Sequence, residues 1–343
     1  MIPYWHWTTQ PITLIEGVLE IHMFGLLVGI GILTGVWLAQ RRAAEAGLNP
    51  MVIGDLGIFV VIVAFFFAHQ VSLFFYFPER VFGPDGSWLE IFKIWSGISS
   101  FGGFLGAAIA LALFFRFERI VLIPGLFELK GGKGLPAMKY MDALAYAFAA
   151  AWIFGRLGCF AAHDHIGKPT EFFLAVNFPD GFRRSVPAVA EFGAAGYTPR
   201  WDLGFMEVFW AVGIFAVYHV WARRRPDLRP GWYAAVMMIS YAPYRLWLDT
   251  LRATDIGDAD TRYLAELVPP GITPGQIGAV VVLILGIVTW RIGGRLAADP
   301  EYMSGDRFSG EGAREGNRAA LRAKGDGKKG GGKKGSGKAS KGR

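Results

Sequence analysis

The sequence predicts an all-α, polytopic membrane protein of seven transmembrane helices, with the N-terminus outside, the C-terminus in the cytoplasm and a small extracytoplasmic subdomain. Three observations carry this expectation. Hydrophobic residues make up 53% of the 343 residues against 18% charged, with 12 Trp and 28 Phe, a balance that one globular soluble domain does not show. Seven apolar segments match or approach the roughly 20 residues that a helix needs to cross a bilayer. Basic residues gather at every second interval between these segments, which marks one face as cytoplasmic by the positive-inside rule.

Leu19 to Ala39 is the first span, ending against Arg41 and Arg42. No charged leader with a short apolar core and a small-residue cleavage site precedes it, so it is expected to remain as a span. Met51 to Phe77 runs back outward into Pro78 to Ser96, a loop rich in Asp, Pro, Gly and aromatics. Ile98 to Phe115 returns inward to Arg116, Arg119, Lys130, Lys133 and Lys139. Tyr140 to Ala162 opens into His163 to Asp202, long enough for a small extracytoplasmic subdomain. Leu203 to Ala222 closes on Arg223, Arg224, Arg225 and Arg229, and Trp232 to Leu251 leads out to Arg252 to Pro274. Gly275 to Trp290 is the shortest, and Arg291 and Arg295 follow it. Residues 1–298 therefore read as one membrane domain with an insertion at about 163–202, and residues 299–343 as a basic cytoplasmic tail.

Of the formal charge of +7, the stretch from Asp299 to Arg343 holds +6, with 12 Lys/Arg against 6 Asp/Glu. That tail is Gly-rich and nearly free of apolar residues, so it cannot bury enough surface to fold. It suits weak attraction to anionic membrane lipids. No aromatics are interleaved with its lysines, so nucleic acid is not expected as a partner. Cys159 is the one cysteine, which excludes an intrachain disulfide.

Depth organises the polar residues inside the spans. His69 lies 18 residues beyond Met51, Arg156 lies 14 beyond Asp142, and Arg245 lies 13 beyond Trp232. At about 1.5 Å per residue, each is roughly 20 to 27 Å from the inner face of a core about 30 Å thick. Glu207 sits about one turn inside a span that begins outside. Four ionisable groups on four helices thus share one depth, which suggests a polar cavity open toward the outer leaflet. Two arginines there suit a phosphate, since guanidinium forks match phosphate oxygens and keep their charge when buried. Glu207 and Asp164 are available to hold those guanidinium groups. The competing reading is that carboxylates and arginines only neutralise one another between helices, or that Arg156 snorkels to the headgroups. In His163-Asp164-His165, the two histidines together with Cys159 offer nitrogen and sulfur metal ligands, and their spacing does not exclude a site. The triplet also reads as a polar loop or as the source of a base. No metal and no cofactor are expected.

Several motifs resemble those of the prolipoprotein diacylglyceryl transferase family. Asp142-Ala143-Leu144, Gly155-Arg156-Leu157-Gly158-Cys159-Phe160, Asp164 and Gly167 are similar to an Asp preceding Gly-Arg-x-Gly-Asn-Phe and a later Asn, Glu and Gly. Ser96 to Gly106, with Phe101-Gly102-Gly103, resembles a Gly-Gly-x-Ser-x-His-Gly-Gly-x-x-Gly element. His22 to Gly25, Glu207, Tyr241 with Arg245, Asp249 with Arg252, and Gln276 resemble further family positions, so that the likeness runs from Glu20 to about Arg295.

The resemblance implies transfer of the diacylglyceryl group of phosphatidylglycerol to the lipobox cysteine thiol of an exported prolipoprotein, in a bacterial cytoplasmic (inner) membrane with the site toward the outer leaflet. It places Arg156, Arg245, Asp164, Glu207 and His69 as catalytic candidates. Arg156, Arg245, Tyr241, Gly102, Gly103, Gly167, Phe101 and Cys159 are placed against substrate. At several polar positions the chain differs: Phe101 stands for His, Cys159 and Ala162 for Asn, Phe24 for Tyr, His69 for Arg, and Gly204-Phe205-Met206 for Gln-Leu-Tyr. The alternative is a catalytically impaired paralogue that binds phospholipid or lipoprotein without transfer. A small anionic-lipid transporter is a third reading, and no internal repeat supports it.

Overall fold

A computed structural model describes residues 1–5, 12–15, 19–93, 97–180, 196–225, 227–255 and 272–304. His6, most of the 252–274 loop and the tail beyond 304 lie outside these residues. Among the described residues, seven helices occupy the seven apolar segments: α1 (Met23–Glu45), α2 (Pro50–Val71), α3 (Ser100–Arg116), α4 (Ala137–Ala162), α5 (Leu203–Ala216), α6 (Trp232–Asp249) and α7 (Pro274–Ala297). Wider π turns extend α2 through Tyr76 and α5 through Trp221. Five of these helices are long and apolar enough to cross a membrane, and α3 is a shorter apolar helix. The polar residues Arg245 and Asp249 dilute the hydropathy of α6. Several ends shift from expectation: α1 runs from Met23 to Glu45 rather than from Leu19 to Ala39, α4 begins at Ala137 rather than Tyr140, and α7 runs to Ala297, well past Trp290.

The starts of the helices are written in the sequence. Asn49 caps α2, Ser99 caps α3 and Asp202 caps α5, each accepting a backbone N–H of the first turn. Thr273 and Gln276 form a capping box on α7. Inside the bundle the Asp142 carboxylate accepts N–H bonds from Gly231 (2.6 Å), Tyr233 (2.9 Å) and Ala234 (3.3 Å). It thereby satisfies orphan donors at the start of α6 from the neighbouring α4.

Helix pairing rests on small residues. A Cβ at Gly31 of α1 would lie 3.0 Å from the Ala151 carbonyl of α4, so only a small residue lets these backbones approach. On α3, a Cβ at Gly102 would fall 2.4 Å from the Phe67 carbonyl and one at Gly106 would fall 2.7 Å from Phe67 Cβ. These glycines, one turn apart, seat α3 against α2. The outer surfaces expose Leu33, Trp37, Phe66, Ile284 and Leu285, an apolar belt that only lipid covers without cost. The chain is a multi-pass membrane protein.

The fold is mostly helical, with a small sheet that the all-α expectation omits. Strands β1 (Ile2–Pro3), β2 (Ile12–Ile15), β3 (Leu19–Ile21), β4 (Arg119–Ile123), β5 (Phe127–Lys130), β6 (Ile166–Pro169), β7 (Val176–Pro179) and β8 (Tyr197–Asp202) make one four-stranded sheet, β1-β7-β8-β6, and two antiparallel pairs, β2-β3 and β4-β5. Each strand is too short to show a clear two-residue alternation, which is why the pattern escapes a sequence reading. The four-stranded sheet joins the end of α4 to the start of α5. It draws on residues 163–202, where the small subdomain was expected.

Candidate active site

Arg156 projects from α4 six residues before the helix ends, in a stretch where Gly158 leaves room for Phe24 of α1. A Cβ at Gly158 would sit 3.2 Å from Phe24, and one at Gly204 of α5 would sit 3.0 Å from the Cys159 Cβ. This close approach brings Glu207, one turn into α5, beside Arg156. Arg156 Nε pairs with Glu207 Oε2. Glu207 Oε1 accepts from Arg245 Nη1 at 2.5 Å, and Tyr241 donates its hydroxyl to the same carboxylate at 3.4 Å. The side chain of Glu207 is fully buried.

The ion pairs continue past these three residues. Arg245 Nη2 lies 3.2 Å from Asp249 Oδ1, and Arg252 donates to that oxygen at 3.0 Å. Thr273, the cap of α7, donates its hydroxyl to Asp249 Oδ2. Among the described residues, three guanidinium groups therefore alternate with two carboxylates. An arginine has five N–H donors, so donors remain after these contacts are made. Arg156 also rests over the Trp152 ring, 4.4 Å from its centroid, and sends Nη1 toward Cys159 Sγ at 3.7 Å. Cation–π contact and paired charge together offset the desolvation of a guanidinium at this depth.

Gly167 shapes the rim of this chain. Its backbone forms a bridge with Arg252, and a Cβ there would fall 2.6 Å from Trp201 and 2.8 Å from the Leu251 carbonyl. Gly275 is similar, with its Cβ position 3.0 Å from Arg245 Nη2. Asp249, Arg252 and Thr273 were not among the candidate site residues, although Asp249 and Arg252 follow Arg245 at one-turn spacing, which is the signal that finds them.

His69 stands apart from the arginines. Its Nδ1 is 3.2 Å from the Gly97 carbonyl oxygen and its Nε2 is 2.8 Å from the Glu90 carbonyl oxygen. Shared depth did not bring it to the ion-pair chain, because it faces the loop before α3. Phe101 is 57% exposed at the start of α3, beside the buried Gly102. Gly103 has only ordinary contact where its Cβ would be.

The end of α4 separates the polar triplet. His163 adopts a left-handed backbone (φ 49°, ψ 38°), uncommon for a non-glycine residue. Its ring is buried, stacked on Tyr4 at 4.5 Å, with Nδ1 3.1 Å from Asp202 Oδ2. Burial raises the Asp202 carboxyl above its ordinary range, against the pull of His163 and of the Phe205 N–H. Asp164 and His165 instead lie by Cys159. Their carboxylate and imidazole are in contact at 3.1 Å, and one donor atom from each of Cys159, Asp164 and His165 lies within 4.8 Å of the others.

Comparison with known proteins gives a family. The model of the family described as prolipoprotein diacylglyceryl transferase matches residues 11–292. Among curated relatives, a phosphatidylglycerol–prolipoprotein diacylglyceryl transferase of Gloeobacter violaceus is 28% identical over 271 residues, 78% of this chain and 91% of the relative. The protein of that name from Geobacillus kaustophilus is 25% identical over 80% of this chain and 88% of its own length. Its counterpart in Nitratidesulfovibrio vulgaris is 26% identical over 83% and 95% respectively.

Proposed function

The chain belongs to the prolipoprotein diacylglyceryl transferase family, and on that premise we propose that it moves the diacylglyceryl group of phosphatidylglycerol to the lipobox cysteine thiol of exported prolipoproteins, through the buried arginine chain. It is a transferase of lipoprotein maturation. The observation that carries the assignment of roles is the sharing of Glu207 between Arg156 and Arg245.

In the reaction the thiol sulfur attacks the glycerol carbon that bears the phosphate. A C–S bond forms, the C–O bond breaks, and glycerol phosphate leaves with the bond pair. Charge grows on the departing phosphate oxygen, so donors already fixed at that point lower the barrier most. Glu207 and Asp249 hold Arg156, Arg245 and Arg252 in place without cancelling their charge, which favours an anionic headgroup. Tyr241 steadies Glu207, while Gly167 and Gly275 keep the backbone close. Gly102 and Gly103 belong to the α2–α3 contact beside the entrance, with Phe101 as an apolar wall for acyl chains.

The positive-inside pattern supports seven spans with the N-terminus outside and the C-terminus in the cytoplasm of a bacterial inner membrane. The arginine chain then faces the outer leaflet, where phosphatidylglycerol and a translocated signal peptide meet. Residues 1–298 form the transferase domain, and the basic tail from 299 meets anionic headgroups on the cytoplasmic side.

Purified protein incubated with phosphatidylglycerol vesicles and a synthetic lipobox peptide should yield a thioether-linked diacylglyceryl peptide by mass spectrometry. Arg156→Ala should lower transfer by about 10² or more, the scale of losing one charge-stabilising donor. Absence of product from the parent protein, under conditions where a relative works, would overturn the assignment.

A further inference from the structure

The reaction needs a thiolate, since the thiol itself is a weak nucleophile near neutral pH. In the arginine chain, both oxygens of Glu207 and of Asp249 are engaged, by guanidinium groups and, at Asp249 Oδ2, by the Thr273 hydroxyl. Phe101, at the start of α3, has no atom that accepts a proton. A different group that lies against Arg156 meets the need.

Cys159, Asp164 and His165 converge because α4 stops at His163. The left-handed residue there turns the chain back, so that the two residues after it come alongside a side chain from the last full turn of the helix. Donor atoms within 4.8 Å of one another are about an ångström wider than one ion requires, since two ligands at about 2.0 to 2.3 Å from a shared tetrahedral zinc are about 3.3 to 3.8 Å apart. A small side-chain rotation closes the difference. Thiolate, imidazole and carboxylate are the donor classes that zinc prefers, and three protein ligands leave its fourth position open.

We propose that Cys159, Asp164 and His165 form a three-ligand site for a zinc-class divalent cation whose open position takes the substrate cysteine as thiolate. The inference rests on the transferase reading above. Coordination lowers the proton affinity of a bound thiol so far that it is held deprotonated. On binding, the substrate S–H bond breaks, its proton passes to water and an S–metal bond forms. Sulfur then gives an electron pair to the glycerol carbon, the C–S bond replaces the C–O bond, and the metal keeps its oxidation state. Arg156, 3.7 Å from Cys159 Sγ, does not forbid the cation, because Glu207 offsets part of its charge. The Cys159 thiolate and the Asp164 carboxylate together supply two negative charges against a dication. The placement also sets order along the site, with the nucleophile at Cys159 and the phosphate at Arg156 and Arg245.

The test uses tag-free, full-length protein in lipid-containing micelles, stripped of metal with a chelator. Titration with Co²⁺ should produce a thiolate-to-cobalt charge-transfer absorption that Cys159→Ser abolishes, and His165→Ala should weaken cobalt binding at least tenfold. A lipobox peptide should intensify the absorption, and the same peptide with serine for cysteine should not. Should Cys159→Ser fail to fold, as judged by circular dichroism, Asp164→Asn replaces it and should weaken cobalt binding likewise. No absorption, or an absorption unchanged by these substitutions, would overturn the site. In the transfer assay, chelation should lower the rate at least tenfold and zinc should restore it. Equal transfer with and without chelator would overturn the inference and leave the transferase reading standing. No transfer under any condition would sink that reading, while the cobalt spectra would still decide the metal site.

Discussion

Glu207 of α5 and Arg245 of α6 meet at 2.5 Å between Oε1 and Nη1, while the other oxygen of the same carboxylate holds Arg156 of α4. One buried acid therefore ties three helices and neutralises only part of the positive charge that it organises. Removing it leaves Arg156 without its carboxylate and Arg245 with Asp249 alone. Glu207→Ala should destabilise the protein by about 3 to 5 kcal/mol, the usual cost of stranding a buried charge. Glu207→Gln, which keeps the shape, should lie between it and the parent. Thermal unfolding in micelles measures both, and an Ala variant as stable as the parent would contradict this role.

Gly102 and Gly103 are adjacent in sequence and opposite in consequence. A Cβ at Gly102 would meet the Phe67 carbonyl at 2.4 Å, whereas the nearest atom at Gly103 is 3.8 Å away. Gly102→Ala is expected to cost about 1 to 3 kcal/mol through overpacking and to lower transfer with it. Gly103→Ala should be neutral or stabilise by up to about 1 kcal/mol through helix propensity. Equal unfolding midpoints for the two variants would refute the α2–α3 packing described here.

His69 clasps the loop that precedes α3. Both of its ring nitrogens face carbonyl oxygens, of Gly97 at 3.2 Å and of Glu90 at 2.8 Å. Replacing it with Ala frees the Glu90 and Gly97 carbonyls. Hydrogen exchange of residues 90–93 and 97–99 should accelerate in His69→Ala at least several-fold while the helices keep their protection. Unchanged exchange in that segment would show that the clasp is not what orders it.

Arg200 on β8 holds Asp255 by two parallel bonds, at 2.9 and 2.5 Å. The Arg200 hydrogen bonds keep the Asp255 carboxyl below its ordinary value near 3.8. A depressed acid stabilises the fold above its ordinary value and loses that contribution as pH falls through the depressed one. The gap in unfolding midpoint between the parent and Asp255→Asn should be constant near neutrality, worth under about 1 kcal/mol for a pair this exposed. It should shrink once the pH drops below 3.8. A gap that persists in stronger acid would remove the ion pair as its cause.

The apolar segments and the depth of Arg156, Glu207 and Arg245 are set by the sequence itself. A helix in lipid must be long and apolar, and depth along it is a one-dimensional count of residues at a fixed rise. The same count grouped His69 with the arginines, because it carries no information on which way a side chain faces.

Direction and neighbour came only from tertiary packing. The close approach of Gly204 to Cys159 set Glu207 between two arginines, and the turn after α6 brought Arg252 back onto the Asp249 carboxylate. Strands of two to six residues found their partners through the sheet rather than through any pattern of their own. The left-handed turn at His163 divided His163-Asp164-His165, sending the first residue to Asp202 and the other two to Cys159. A sequence lists these donors in order, but a donor set is a meeting of directions, and those are fixed only when the backbone and its neighbours close around them.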